Sequence, residues 1–228
     1  AQPSLEPLPL YQRLSTKTPG VLYESVDISR VYGRYSLAVV DAPILVEGKD
    51  DAFRIRSLNQ RGQGILDLLS PGDFPCSQDV RRTPDMLYGT VPCERRPVAE
   101  DERLQLNNIS QVVRNLTHAF RCSDRFLGLY GAFAYDFVRL FEPLPNHLPP
   151  IATQDFRLFM PDMLLFYDHL KERAFLYIYD VLDTTLPAAD LVRQLQAHSV
   201  RREYLDAAIT AAGRGDNVAR WVIRRSDV

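Results

Sequence analysis

The chain has 228 residues, 46% of them hydrophobic, 25% charged and 10% aromatic. Eleven Phe, eleven Tyr and one Trp are more aromatics than a solvated tail carries, which argues against a disordered tail, and one large domain or two small ones are expected. Twenty-seven basic residues against twenty-nine acidic ones give a net charge of −2, with no basic excess to neutralise phosphates, which argues against nucleic acid as the main partner.

In chain order, the opening AQPSLEPLPLYQRL lacks Met and lacks the basic start and apolar run of a signal peptide. Val21 to Ser25 and Ser36 to Val40 read as short apolar strands. Pro43 interrupts before Ile44-Leu45-Val46, and Gly48-Lys49-Asp50-Asp51 makes a hairpin turn into Phe53 to Leu58, where apolar and polar residues alternate. A short helix over Gly64 to Leu69 would bury Ile65, Leu68 and Leu69. Residues 70 to 100 carry Pro71, Pro75, Pro84, Pro92 and Pro97 and read as a long irregular connection.

Asn108 is placed to cap a helix with Ile109, Val112, Val113, Leu116 and Phe120 on one stripe. Phe126 to Ala134 reads as an apolar strand holding Gly128 and Gly131, followed by a short helix from Tyr135 stopped by Pro143. Met163 to Asp168 and Ala174 to Asp180 form a hairpin around the polar turn His169 to Arg173. Helices are expected over Pro187 to Leu195 and Glu203 to Ala212. Locally joined strands with helices between them give an α+β class with an antiparallel sheet.

No apolar stretch approaches the roughly 18 residues of a membrane span. Cys76, Cys93 and Cys122 are odd in number and lack CxxC spacing, which fits reduced thiols in the cytoplasm better than a disulfide frame or a zinc site. The sequons at Asn108 and Asn115 matter only in a secreted chain. His118, His147, His169 and His198 are scattered over helix, loop and turn positions. No GxSxG, Walker A, HExxH or GxGxxG motif is found.

Two constellations rise above this background. Glu24-Ser25 closes one strand, and Gly33-Arg34-Tyr35-Ser36 opens the next. A carboxylate beside hydroxyl, guanidinium and phenol donors suits a zwitterion, with the carboxylate on the ammonium end and the donors on the carboxyl end. The competing reading is a strand-end turn with a surface ion pair. The second constellation is Gly128 and Gly131 followed by Tyr135-Asp136 and Arg139. Glycine in an apolar strand signals close backbone approach, and Asp136 and Arg139 share a helix face at i,i+3. No Lys-Ser/Thr follows these glycines, so a phosphate loop is not indicated.

These residues carry a family resemblance. Val21-Leu-Tyr-Glu-Ser-Val-Asp-Ile28 resembles the LLES segment near the start of anthranilate synthase component I, and Gly33-Arg-Tyr-Ser36 resembles the RYS element that follows it. The stretch from Gly128 to Pro145 is similar to the family's GGxxGYxxYDxxRxFExLP segment. Asp155 to His169 is similar to the next stretch, an apolar strand ending in Asp168-His169. Order and spacing agree from about Leu10 to Asp180.

The resemblance implies the N-terminal half of a chorismate-using enzyme, in a two-sheet α+β sandwich whose catalytic residues lie almost entirely in the other half. It implies turnover of chorismate and ammonia to anthranilate and pyruvate in tryptophan biosynthesis, a lyase reaction under tryptophan feedback inhibition. Magnesium is implied as the cofactor of the intact enzyme, with none expected on this chain, and a glutamine amidotransferase subunit as partner. A tryptophan-binding role is implied for Glu24 and Ser25, and by extension for Arg34 and Tyr35. No catalytic or metal-binding residue is assigned.

Tyr23 departs from the family's second Leu with a larger side chain. The domain reading places the N-terminal region at 1–180, the opening of the catalytic region at 181–216 and a divergent tail at 217–228. Arg202 to Asp216 resembles the family's EYxxxVxxAxxxIxxGD helix, and the similarity ends near Asp216. A truncated or frame-shifted chain, inactive alone and prone to self-association, is therefore expected. Two alternatives stay open: an aminodeoxychorismate synthase component I fragment of the folate pathway, or a non-catalytic tryptophan-binding module. The Glu24-Asp27 spacing favours anthranilate synthase.

Overall fold

The computed structural model of the chain describes residues 6–15, 17–24, 33–94, 96, 98–103, 105–120, 124–142, 144–145, 149, 152–181 and 221–227. The strands are β1 Val21–Tyr23, β2 Tyr35–Val39, β3 Ile44–Lys49, β4 Ala52–Ser57, β5 Gln78–Arg82, β6 Met86–Thr90, β7 Tyr130–Phe133, β8 Phe156–Met160, β9 Met163–Asp168, β10 Arg173–Val181 and β11 Trp221–Asp227. The α-helices are α1 Pro7–Leu14, α2 Gln60–Asp67, α3 Glu100–Arg103 and α4 Ser110–Ala119, joined by 3-10 turns at Pro71–Asp73 and Tyr135–Leu140. Two antiparallel sheets and a few helices make this an α+β fold, the class the strand patterning indicated.

The described residues fall into two compact units. One draws on 1–43, 120–128 and 160–228, the other on 44–119 and 129–159. The first unit holds a five-stranded sheet in the order β1-β2-β9-β10-β11. Val21 pairs with Val39 and Tyr23 with Leu37, while Tyr35 pairs with Asp168 and Val39 with Leu164. Because side chains alternate along a strand, Ala38, Leu165 and Ala174 lie on one face. There they form a buried cluster with Leu10 and Val40, against which Tyr11, Leu14 and Leu22 also pack. The N-terminal segment thus contributes a helix, α1, with Pro at its start, where the missing N–H costs nothing.

The opposite face is aromatic. Phe166 meets the Phe126 ring at 4.5 Å and the Tyr177 ring at 5.3 Å, and Tyr35 at 6.4 Å. Within residues 217–228, read from the sequence as a divergent tail, Trp221–Asp227 forms β11 in antiparallel register with β10. The helices expected over 187–195 and 203–212 lie outside the described residues.

The second unit holds a six-stranded sheet in the order β5-β6-β4-β3-β8-β7. The β3–β4 hairpin turns at Asp50 and Asp51, with Asp50 in the left-handed region at φ 52°. In β4 the alternation is as expected, with Phe53 and Ile55 buried and Ala52, Arg54 and Arg56 exposed. Gly48 leaves room where a Cβ would run into the Phe156 ring and Ile109. Asn59 caps α2 by accepting from the Gly62 N–H at 2.9 Å, so this helix begins before the Gly64 read from sequence. Helix α4 follows the expected stripe: Val112 and Leu116 are buried, flanked by buried Ile109 and Phe120, and Asn108 accepts from the Ser110 N–H at 2.9 Å.

Two expectations are corrected here. The stretch 70–100 is not irregular throughout, because β5 and β6 pair within it as the edge of the sheet. The prolines flank these strands instead of interrupting them, and β5, Gln-Asp-Val-Arg-Arg, is mostly exposed, so it has no apolar alternation to betray it. The strand expected over Phe126 to Ala134 is confined to Tyr130–Phe133, and Gly128 sits in a bend before it. Gly131 does mark a close approach, since a Cβ there would collide with the Arg157 carbonyl oxygen of the paired β8.

Candidate functional site

Antiparallel pairing of β1 with β2 brings the end of β1 beside the start of β2, and pairing of β2 with β9 brings the end of β9 to the same place. Glu24, Arg34, Tyr35, Ser36, Asp168 and His169 therefore share one end of the five-stranded sheet. Glu24 is exposed and follows β1 directly. Ser25 lies outside the described residues. Tyr23 leaves 42% of its surface exposed.

The centre of this corner is an ion pair. Arg34 Nη2 donates to Asp168 Oδ2 at 2.8 Å and Nε to Oδ1 at 3.3 Å, a two-point contact between a planar donor fork and a carboxylate. Asp168 is only 2% exposed. Its Oδ1 also accepts the Leu170 N–H at 3.1 Å and the Lys171 N–H at 3.2 Å, both from the β9–β10 turn. The Arg34 hydrogen bond holds the Asp168 carboxyl below its ordinary pKa, outweighing the opposing effect of burial, and the Asp168 hydrogen bond in turn raises that of Arg34.

A second layer ties β2 to the turn. The His169 N–H donates to the Arg34 carbonyl at 2.9 Å, and Ser36 Oγ lies 2.8 Å from His169 Nε2. The His169 ring meets Tyr167 edge-on at 4.8 Å. The Arg34 guanidinium lies 4.8 Å from the centre of the Tyr35 ring, and Tyr35 leaves 47% of its surface exposed.

Of the residues singled out from sequence, Glu24, Arg34 and Tyr35 lie at the same end of the five-stranded sheet. Arg34 already uses two of its five N–H donors on Asp168, while 35% of its side chain stays exposed. Sequence reading did not place Asp168 and His169 in this site. Their signal was the charged pair closing an apolar strand, but nothing local said which strand lay beside it.

The second constellation lies in the other unit. Asp136 and Arg139 pair at 2.8 Å, as their spacing indicated, though on a 3-10 helix that ends at Leu140. Arg139 also donates to the Leu144 carbonyl at 3.0 Å, so it braces the turn that follows. Among the described residues no group of three or more His, Cys, Asp or Glu is placed to hold a metal ion. No helix among them is long and apolar enough to cross a membrane.

These features define a class: an α+β chain of antiparallel sheets with a charged, hydrogen-bonded cluster at one sheet end. The chain is similar to anthranilate synthase component 1 across roughly 70% of its length. It is 28% identical over 185 residues to an anthranilate synthase of Azospirillum brasilense, covering 76% of this chain and 24% of that protein. It is 28% identical over 160 residues to the pyocyanine-specific anthranilate synthase component 1 of Pseudomonas aeruginosa, covering 70% and 30%. With anthranilate synthase component 1 of Vibrio cholerae the identity is 27% over 176 residues, covering 73% and 32%. The chain thus spans about a quarter to a third of the length of these curated relatives. No protein-family model matches it.

Proposed function

We propose that this chain is the N-terminal, tryptophan-recognising part of an anthranilate synthase component 1, the enzyme that joins chorismate with ammonia to give anthranilate and pyruvate. The named relatives support the family, and "component 1" in their names supports a partner subunit, here read as the glutamine amidotransferase that supplies ammonia. The observation that carries the tryptophan reading is the convergence of Glu24 with Arg34 and Tyr35 at one sheet end.

An amino-acid zwitterion needs an anion for its ammonium group and donors for its carboxylate. Glu24, with Ser25 beside it in sequence, supplies the first. Arg34, through the donors left after Asp168 is satisfied, supplies the second, and the exposed Tyr35 ring offers an aromatic face to the indole.

The test is a titration of the chain with L-tryptophan followed by NMR chemical shifts. Saturable binding with a dissociation constant on the order of millimolar is expected, because the chain covers only part of its relatives, and Glu24→Gln should weaken it about tenfold. An unchanged affinity in that variant, or no saturation, rejects the site. Micromolar affinity would instead favour a free-standing tryptophan-binding module. The chain alone is expected to form no fluorescent anthranilate from chorismate, magnesium and ammonia; turnover would overturn its assignment to the non-catalytic part.

A further inference from the structure

We propose that Asp168 is a positioning residue of the site, fixing the Arg34 guanidinium so that its remaining donors select ligands carrying a free carboxylate. The inference rests on the tryptophan reading above and deepens it.

The argument is one of geometry and preorganisation. An arginine at a strand end loses rotamer freedom whenever it grips a ligand, and that loss weakens binding unless the side chain is already held. Here the holding group is itself fixed. Asp168 closes β9, is 2% exposed, and accepts two backbone N–H groups from the following turn in addition to both Arg34 contacts. The turn is tied back in its turn by the His169 N–H on the Arg34 carbonyl and by the Ser36–His169 contact.

Four donors converge on the Asp168 carboxylate, so its charge is locally compensated and its repulsion of an incoming carboxylate is reduced. The guanidinium plane is left in contact with the Tyr35 ring, with the side chain 35% exposed. A lone guanidinium without this carboxylate would wander, whereas one edge on Asp168 leaves the other edge in a set place. Lysine has no such second edge, because its ammonium is a point charge that serves one carboxylate or the other.

The experiment compares L-tryptophan with L-tryptophanamide, which keeps the indole and the ammonium but lacks the carboxylate, on the full chain. Both are titrated into wild type, Asp168→Asn and Arg34→Lys, again by NMR. Wild type should prefer tryptophan about tenfold, the worth of a charge-assisted contact pair, and both variants should bring the preference close to one. A merely structural clamp would weaken both ligands alike and leave the ratio untouched, so a wild-type ratio in the variants overturns the proposal. If Asp168→Asn does not fold, Arg34→Lys decides by the same ratio. If wild type binds tryptophan without preferring it, the positioning role falls while the site stands; if it binds neither ligand, the tryptophan reading falls and the positioning role with it.

Discussion

Asp155 joins the β3–β4 turn to the start of β8 by accepting the Lys49 ammonium at 3.0 Å through one oxygen and the Asp50 N–H at 2.7 Å through the other. The backbone repeats the link, with the Asp155 N–H donating to the Gly48 carbonyl and its carbonyl accepting from the Ala134 N–H, both at 2.8 Å. Asp50 is held at φ 52°, a left-handed conformation that this carboxylate helps to secure. Asp155→Ala should cost about 1–3 kcal/mol, and Asp155→Asn, which keeps an acceptor for the Asp50 N–H, distinctly less. Urea unfolding of the two variants checks the order, and equal losses would contradict it.

The Arg34–Asp168 pair carries a pH dependence with a fixed sign. Asp168 has a lower pKa in the folded chain than its ordinary value of 3.8. A depressed carboxyl stabilises the fold above the unfolded-state pKa, and that contribution is lost as pH falls through the folded one. Wild type should therefore be more stable than Asp168→Asn from neutral pH down to about 4, and the difference should shrink below that. Thermal midpoints of both proteins between neutral and acid pH give the comparison; a gap that grows on acidification has the wrong sign.

Two glycines of one segment should respond oppositely to the same substitution. A Cβ at Gly131 would strike the Arg157 carbonyl and the Leu158 Cα across the β7–β8 pairing, and backbone cannot swing aside. Gly131→Ala should cost roughly 1–3 kcal/mol or separate the strands. At Gly128 a Cβ meets nothing within 4 Å. Gly128→Ala should be neutral or stabilise by about 0.4–1 kcal/mol through the unfolded chain. Chemical denaturation of the pair checks the contrast.

Asn59 closes the start of α2 with its side chain on the Gly62 N–H. The helix contains Gly62 and Gly64, weak helix formers, so its first turn depends on the cap. Asn59→Ala should cost about 1 kcal/mol, and Asn59→Asp should retain most of the stability. Calorimetric midpoints are the measurement.

How far the sequence could be read follows the range of each interaction. The β3–β4 and β9–β10 hairpins were legible because each is a pair of apolar runs around a short polar turn. Helix α4 was legible from its stripe and Asn108, and the Asp136–Arg139 pair from a spacing of three. Strand β5 was not, because as an exposed edge it has no buried face to pattern. The candidate site was half legible: Glu24, Arg34 and Tyr35 came from two short segments close in sequence, whereas Asp168 and His169 read only as the end of one strand and the start of its turn.

By itself the sequence determined the α+β class, the hairpins, the amphipathic helix and the resemblance to anthranilate synthase component 1, because alternation, helical period and motif order are all written within short windows. The tertiary structure alone decided that β2 lies beside β9, and with it the contacts of Arg34 with Asp168, 134 residues apart, and of Ser36 with His169, 133 apart. Lys49 and Asp155, 106 residues apart, meet for the same reason. Such pairings are fixed by which strand edges and faces match across the whole sheet against the entropy of closing a long loop, a balance that no local stretch of residues carries.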